Sequence, residues 1–141
     1  MKHKISIIDI VSAAASAGFL IGIISWFKVC DGMSDSIMSC HWAGEVLKAM
    51  ALLSVCLNVI HLFVTSNEMK IGMDVSHIGI CVLALNVPGR IISICSMAAM
   101  SCRKNTVPWT VVFCVAIIIL SLADIVTCLD RENKEKHKRK D

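Results

Sequence analysis

The residues most able to do chemistry are the eight cysteines and eight methionines, and they are unevenly placed. Cys30 is followed by Met38-Ser39-Cys40-His41-Trp42, and Cys95 by the near-copy Met100-Ser101-Cys102-Arg103-Lys104. Each group lies between two long apolar runs, so the chain reads as two copies of one unit. Cys30, Cys40, Cys95 and Cys102 then share one side of a membrane, where an oxidising compartment lets disulfides persist. Four cysteines allow three pairings, and spacing alone does not choose among them. The repeated loop pattern favours two bonds within loops, Cys30–Cys40 and Cys95–Cys102. The same four thiols could exchange disulfides with a partner. With Met33, Met38, Met97, Met100 and His41 they could also hold a soft ion such as Cu(I). Cys56, Cys81 and Cys114 fall inside apolar runs and read as small apolar fillers.

A second polar set lies toward the opposite edge. Asp9, His61, His77 and Asp124 each sit about one turn inside a different run, where four titratable groups could form a proton or metal site. Capping and snorkelled interfacial side chains account for them equally well. On the cysteine side, His41 and Trp42 read as an interfacial anchor, the indole at headgroup depth and the imidazole toward water. Arg90 is placed to pair with Glu45 or to reach a lipid phosphate. No catalytic residue, cofactor site or metal ligand set is assigned.

These residues must be positioned by four apolar segments, at about 5–27, 43–64, 75–94 and 107–129, followed by a basic tail, 130–141. The chain is 56% apolar and only 18% charged, with mean hydropathy +0.73. A soluble domain carries about 25% charge, so lipid is the expected solvent. About 20 residues of helix cross a hydrocarbon core, which predicts an all-α protein of four transmembrane helices, arranged as two cysteine-bracketed hairpins in one domain. The first run is expected to be a retained anchor, since its apolar stretch continues past Ala15-Ser16-Ala17. Ala14, Gly18 and Gly22 form a small-residue ridge suited to close helix packing. Pro88 and Gly89 predict a kink in the third run.

Lys2, Lys4, Lys70 and the basic tail outweigh the cations near the cysteine loops, which puts both termini in the cytoplasm of a multi-pass cell-membrane protein. Trp26, Trp42 and Trp109 at the other ends of the runs agree with that orientation. The tail's Lys136-His137-Lys138-Arg139-Lys140 reads as a solvated segment drawn to anionic lipid, not as a nucleic-acid site. A glycine-rich phosphate loop and a hydrolase nucleophile motif are both missing from the sequence.

Cys30, Met38-x-Cys40-His41-Trp42, Val87-Pro88 ahead of Cys95, and Met100-x-Cys102-Arg103 with Pro108 together resemble a family of small bacterial and archaeal four-helix membrane proteins. The family carries a domain of unknown function, and the resemblance spans nearly the whole chain. It implies the four-helix architecture but assigns no activity. Relatives alongside export-type ABC transporter genes imply an accessory subunit. The expected function is therefore that of a non-enzymatic packing or accessory protein in the bilayer, associated with itself or with a larger membrane partner. A membrane thiol–disulfide oxidoreductase is the alternative and a copper-binding membrane protein the third.

Overall fold

Every long apolar run becomes a helix in the computed structural model, which describes residues 7–26, 39–92 and 102–138. Helix α1 covers Ile7–Ser25, α2 Ser39–Phe63, α3 Asn67–Asn86 and α4 Val107–Lys138. A single π-helical turn, Cys102–Thr106, leads into α4. Pro108 is tolerated there because a helix's first turn has no intrahelical acceptor for its N–H. The described residues contain no β-strand beyond one isolated bridge, Pro88 to Ile92. Helix α1 packs against α2 and α4, and α3 against α2 and α4, so the four close on one another around a shared interior.

Three helices, α1, α2 and α4, are long and apolar enough to cross a membrane. Their outward faces bear Ile21, Leu52, Leu53, Val112, Ile119 and Leu122, all exposed, as expected for lipid contact. The α3 helix, of 20 residues, is not among the three. It begins at Asn67, eight residues before the start expected from apolarity alone, because Glu68, Lys70 and Asp74 lie in its first two turns. Lys70 and Asp74 are buried against other helices, and that burial lets a charged stretch be helical. Only Val64, Thr65 and Ser66 join α2 to α3. A connection this short forces the two to run antiparallel as neighbours.

The expected kink at Pro88 is instead a helix end. Without an N–H, Pro88 cannot bond the carbonyl of Ala84, and α3 stops at Asn86. Gly89 then takes φ 94°, a left-handed conformation that costs an L side chain energy. The turn closes with Gly89 N–H to Ile92 O at 2.9 Å, Ile91 N–H to Asn86 O at 3.1 Å and Ile92 N–H to Val87 O at 3.0 Å. The small-residue ridge of α1 is also divided. Gly22 is buried and Gly18 faces α4, where an added Cβ would meet Phe113 at 3.5 Å, but Ala14 is exposed.

Buried positions recur in steps of three and four, so each helix turns one continuous stripe inward. In α1 the stripe reads Asp9, Ser12, Ser16, Phe19 and Ile23; in α2, Ala43, Leu47, Ala51, Ser54, Asn58 and His61. In α3 it reads Lys70, Asp74, His77, Cys81 and Ala84; in α4, Thr110, Cys114, Ile117, Ser121, Asp124 and Cys128. With neighbours antiparallel, the stripes divide the interior along its length. One half is apolar, built on Phe19, Ile23, Leu47, Ala51, Cys81 and Ile117, with the Phe19 and Phe113 rings packed at a tilt, their centroids 5.6 Å apart. The other half is polar almost throughout.

Candidate functional site

The polar half is built from one stripe segment per helix. In α1, Asp9, Ser12 and Ser16 follow at three and four residues; in α2, Ser54, Asn58 and His61 follow at four and three. In α3 come Lys70, Asp74 and His77, and in α4 Ser121, Asp124 and Cys128. Those spacings put the members of each triplet on one helix face, so the four faces meet inside the bundle.

His61 is at the centre of the charged part. Its Nδ1 lies 4.0 Å from Asp9 Oδ1. Its Nε2 lies 3.7 Å from Asp74 Oδ1 and 3.5 Å from Asp124 Oδ2. Lys70 reaches across from α3 and donates from Nζ to Asp9 Oδ2 at 2.9 Å. The side-chain exposures are 8% for His61, 1% for Asp9, 7% for Asp74, 6% for Asp124 and 9% for Lys70. A solvated surface network is therefore excluded. Three carboxylates share this space with one ammonium, and they are the only charged side chains buried among the described residues. The set carries a formal charge of −2 while His61 is neutral.

A neutral network adjoins it. Asn58 Oδ1 accepts from Ser12 Oγ at 3.1 Å. Its Nδ2 donates to Ser16 Oγ at 2.8 Å and to Ser54 O at 3.1 Å, and lies 3.3 Å from His77 Nε2. One amide thereby ties α1, α2 and α3 together in a medium where unmet polar groups are costly. The charged set is less well satisfied. His61 Nε2, Asp74 Oδ2, Ser121 Oγ and Asp124 Oδ2 are buried without a hydrogen-bond partner. These atoms belong to residues lining a small cavity with Asp9, Ser12 and Asn58. The cavity measures about 10 Å³, room for one water molecule or one ion but for no organic substrate.

Of the inner polar set expected from sequence, the structure brings Asp9, His61 and Asp124 together, with ligand atoms all within 4.8 Å of one another. His77 stands apart, one turn beyond Asp74 and against Asn58. Because α3 starts earlier than expected, His77 is about 15 Å from the start of its helix, not one turn inside it. Asp74, Asn58, Ser12, Ser16 and Ser121 were not expected at the site, and Lys70 was expected only as an orienting charge. Their signal is the three-four spacing of polar residues within apolar runs, in register with Cys81 and Ala84 in α3.

At the other end of the bundle, Glu45 does not take Arg90. Its carboxylate pairs with Lys48 at 2.6 Å on the exposed face of α2. Arg90 is exposed in the turn after α3. His41 meets Trp42 edge to face at 6.2 Å, with Trp42 largely exposed. Cys30 and Cys95, the side chains of Cys40 and Cys102, and with them the expected disulfides, lie outside the described residues. The four cysteines that are described, Cys56, Cys81, Cys114 and Cys128, are all free.

No curated protein and no solved structure matches this chain. A family model matches residues 12–127, from the buried Ser12 of α1 to the turn of α4 just beyond Asp124, and so takes in all four helices. With most of its length covered, the chain belongs to the family of the domain of unknown function DUF4418, in keeping with the expected membership of such a family.

Proposed function

We propose that this protein spans the bilayer four times, with both termini cytoplasmic, and holds a cation inside its cytoplasmic half. The observation that carries the proposal is the buried imbalance of three carboxylates against one lysine. A charge inside a membrane is expensive and is kept where it pairs or acts. A bundle that serves only as packing is more stable with apolar side chains at these positions. A deficit of two positive charges, beside acceptor oxygens without donors, is met by binding a cation. This favours a cation-binding role over a purely structural accessory subunit. The α3 helix fits as the fourth span because Lys70 and Asp74 face inward, Glu68 is exposed in its first turn, and Val75, Val82 and Leu83 face outward.

The test uses the purified chain in lipid nanodiscs, with thermal unfolding followed across acid, sodium, calcium, magnesium, zinc and manganese. At least one of these should raise the melting temperature of the wild type. It should leave unchanged a variant in which Asp9→Asn, His61→Leu, Lys70→Met, Asp74→Asn and Asp124→Asn remove the set together. An identical response in both proteins, or none in either, ends the proposal.

A further inference from the structure

We infer that Asp9, His61 and Asp124 form a binding site for a divalent first-row transition ion, with Lys70 as the built-in cation that competes with it; this rests on the cation-binding role proposed above. Ligand distances of about 2.0–2.2 Å place neighbouring donors of a tetrahedral ion about 3.4 Å apart. The His61 Nε2 to Asp124 Oδ2 separation is 3.5 Å. One ligand atom from each of Asp9, His61 and Asp124 lies within 4.8 Å of the others, so an ion held by a single imidazole nitrogen is within reach of both carboxylates. These donors come from α1, α2 and α4, so a bound ion clamps three helices at once.

Three further observations point to an ion. The cavity admits one water-sized body and nothing larger. The residues lining it offer Asp124 Oδ2, Asp74 Oδ2 and the hydroxyl of Ser121, all buried without a hydrogen-bond partner. An ion satisfies such acceptors directly, whereas an empty site leaves each at a desolvation cost. Finally, a 2+ ion neutralises the charge deficit outright. The donor set selects the class: imidazole with carboxylates suits zinc, manganese and iron, whereas Cu(I) prefers sulfur. Calcium needs six to eight oxygens and magnesium keeps several waters, and the cavity has room for neither.

Lys70 gives the site its distinguishing behaviour. Its ammonium holds Asp9 Oδ2, so an arriving ion shares Asp9 with a positive neighbour. Asp74 Oδ1, 3.7 Å from the same Nε2 that faces Asp124, adds a third carboxylate beside the site.

The experiment titrates the full chain in nanodiscs with Co²⁺, Zn²⁺ and Mn²⁺ separately, reading visible absorption for cobalt and stoichiometry and affinity for all three. One ion per chain is expected, without the charge-transfer band that a thiolate ligand gives to cobalt. His61→Gln and Asp124→Asn should weaken binding by about tenfold or more. Lys70→Met should tighten it several-fold, a gain that misfolding does not produce. Helical content by circular dichroism checks each variant, and Lys70→Met decides if the ligand variants fail to fold. Absence of binding by all three ions overturns the inference. So does binding that His61→Gln and Asp124→Asn leave unchanged, since that ion would sit on other groups such as the tail's His137. A stability response to acid, sodium or calcium alone removes the transition ion while leaving the cation-binding role standing.

Discussion

Asp9 and Lys70 are 61 positions apart in sequence and 2.9 Å apart in space, nearly sealed from solvent. Taking one partner from such a pair strands the other charge in a low dielectric, at a cost of about 3–5 kcal/mol. Asp9→Asn should therefore destabilise the bundle by about that much in reversible unfolding. Adding Lys70→Met should recover most of the loss, and a double variant no better than the single one would show that the pair is not coupled. Glu45 and Lys48 are the contrast: both sit on an exposed face three residues apart, where Coulomb attraction is screened. Glu45→Gln should leave unfolding unchanged. Chemically similar pairs thus differ because of burial, and burial is what a residue's own type does not disclose. Asp9, His61 and Asp124 were legible as candidates because a charge in an apolar run is conspicuous. Lys70 and Asp74 were not, since their stretch lacks the apolar density that marks a span.

At the scale of elements, α1, α2 and α4 were legible because lipid-facing helices must be apolar over about 20 residues. The α3 helix was misplaced toward its carboxyl end for the complementary reason. Its inward stripe begins with Lys70, Asp74 and His77, whose partners come from other helices. Local hydropathy cannot see those partners. Its far end was visible in Pro88 and Gly89, but a proline within a continuous apolar stretch equally suggests a kink. The structure decides through Gly89, whose φ of 94° no helix continues. Gly89→Ala should cost about 1–2 kcal/mol, the penalty for an L residue in the left-handed region. Pro88→Ala should cost less, about 0.4–1 kcal/mol, mostly through a looser unfolded chain. Thermal unfolding of both variants checks the order, and a larger loss for Pro88→Ala would mean that the proline holds the turn.

Across the whole molecule, the interior is apolar at the end holding Phe19, Leu47 and Ile117 and polar at the end holding Asp9, His61 and Asp124. The proposed topology puts the polar end toward the cytoplasm. Cys128 is too buried to report on this, whereas Lys134 is exposed. With the other cysteines removed, Lys134→Cys should resist a membrane-impermeant maleimide in intact cells and react after lysis. Reaction in intact cells would reverse the orientation. The inward charges of α3 also bear on how the protein is made. A segment carrying Glu68, Lys70 and Asp74 enters lipid at a loss if it enters alone. In the proposed four-span topology, Lys70 meets Asp9 only once α1 is in place, and the three-residue link keeps α3 beside α2. Biogenesis then depends on chain order: α3 fused alone to a glycosylation reporter should fail to integrate, whereas the same helix preceded by α1 and α2 should integrate. Asp9→Asn should lower that yield from a distance, turning a salt bridge of the finished fold into a checkpoint during synthesis.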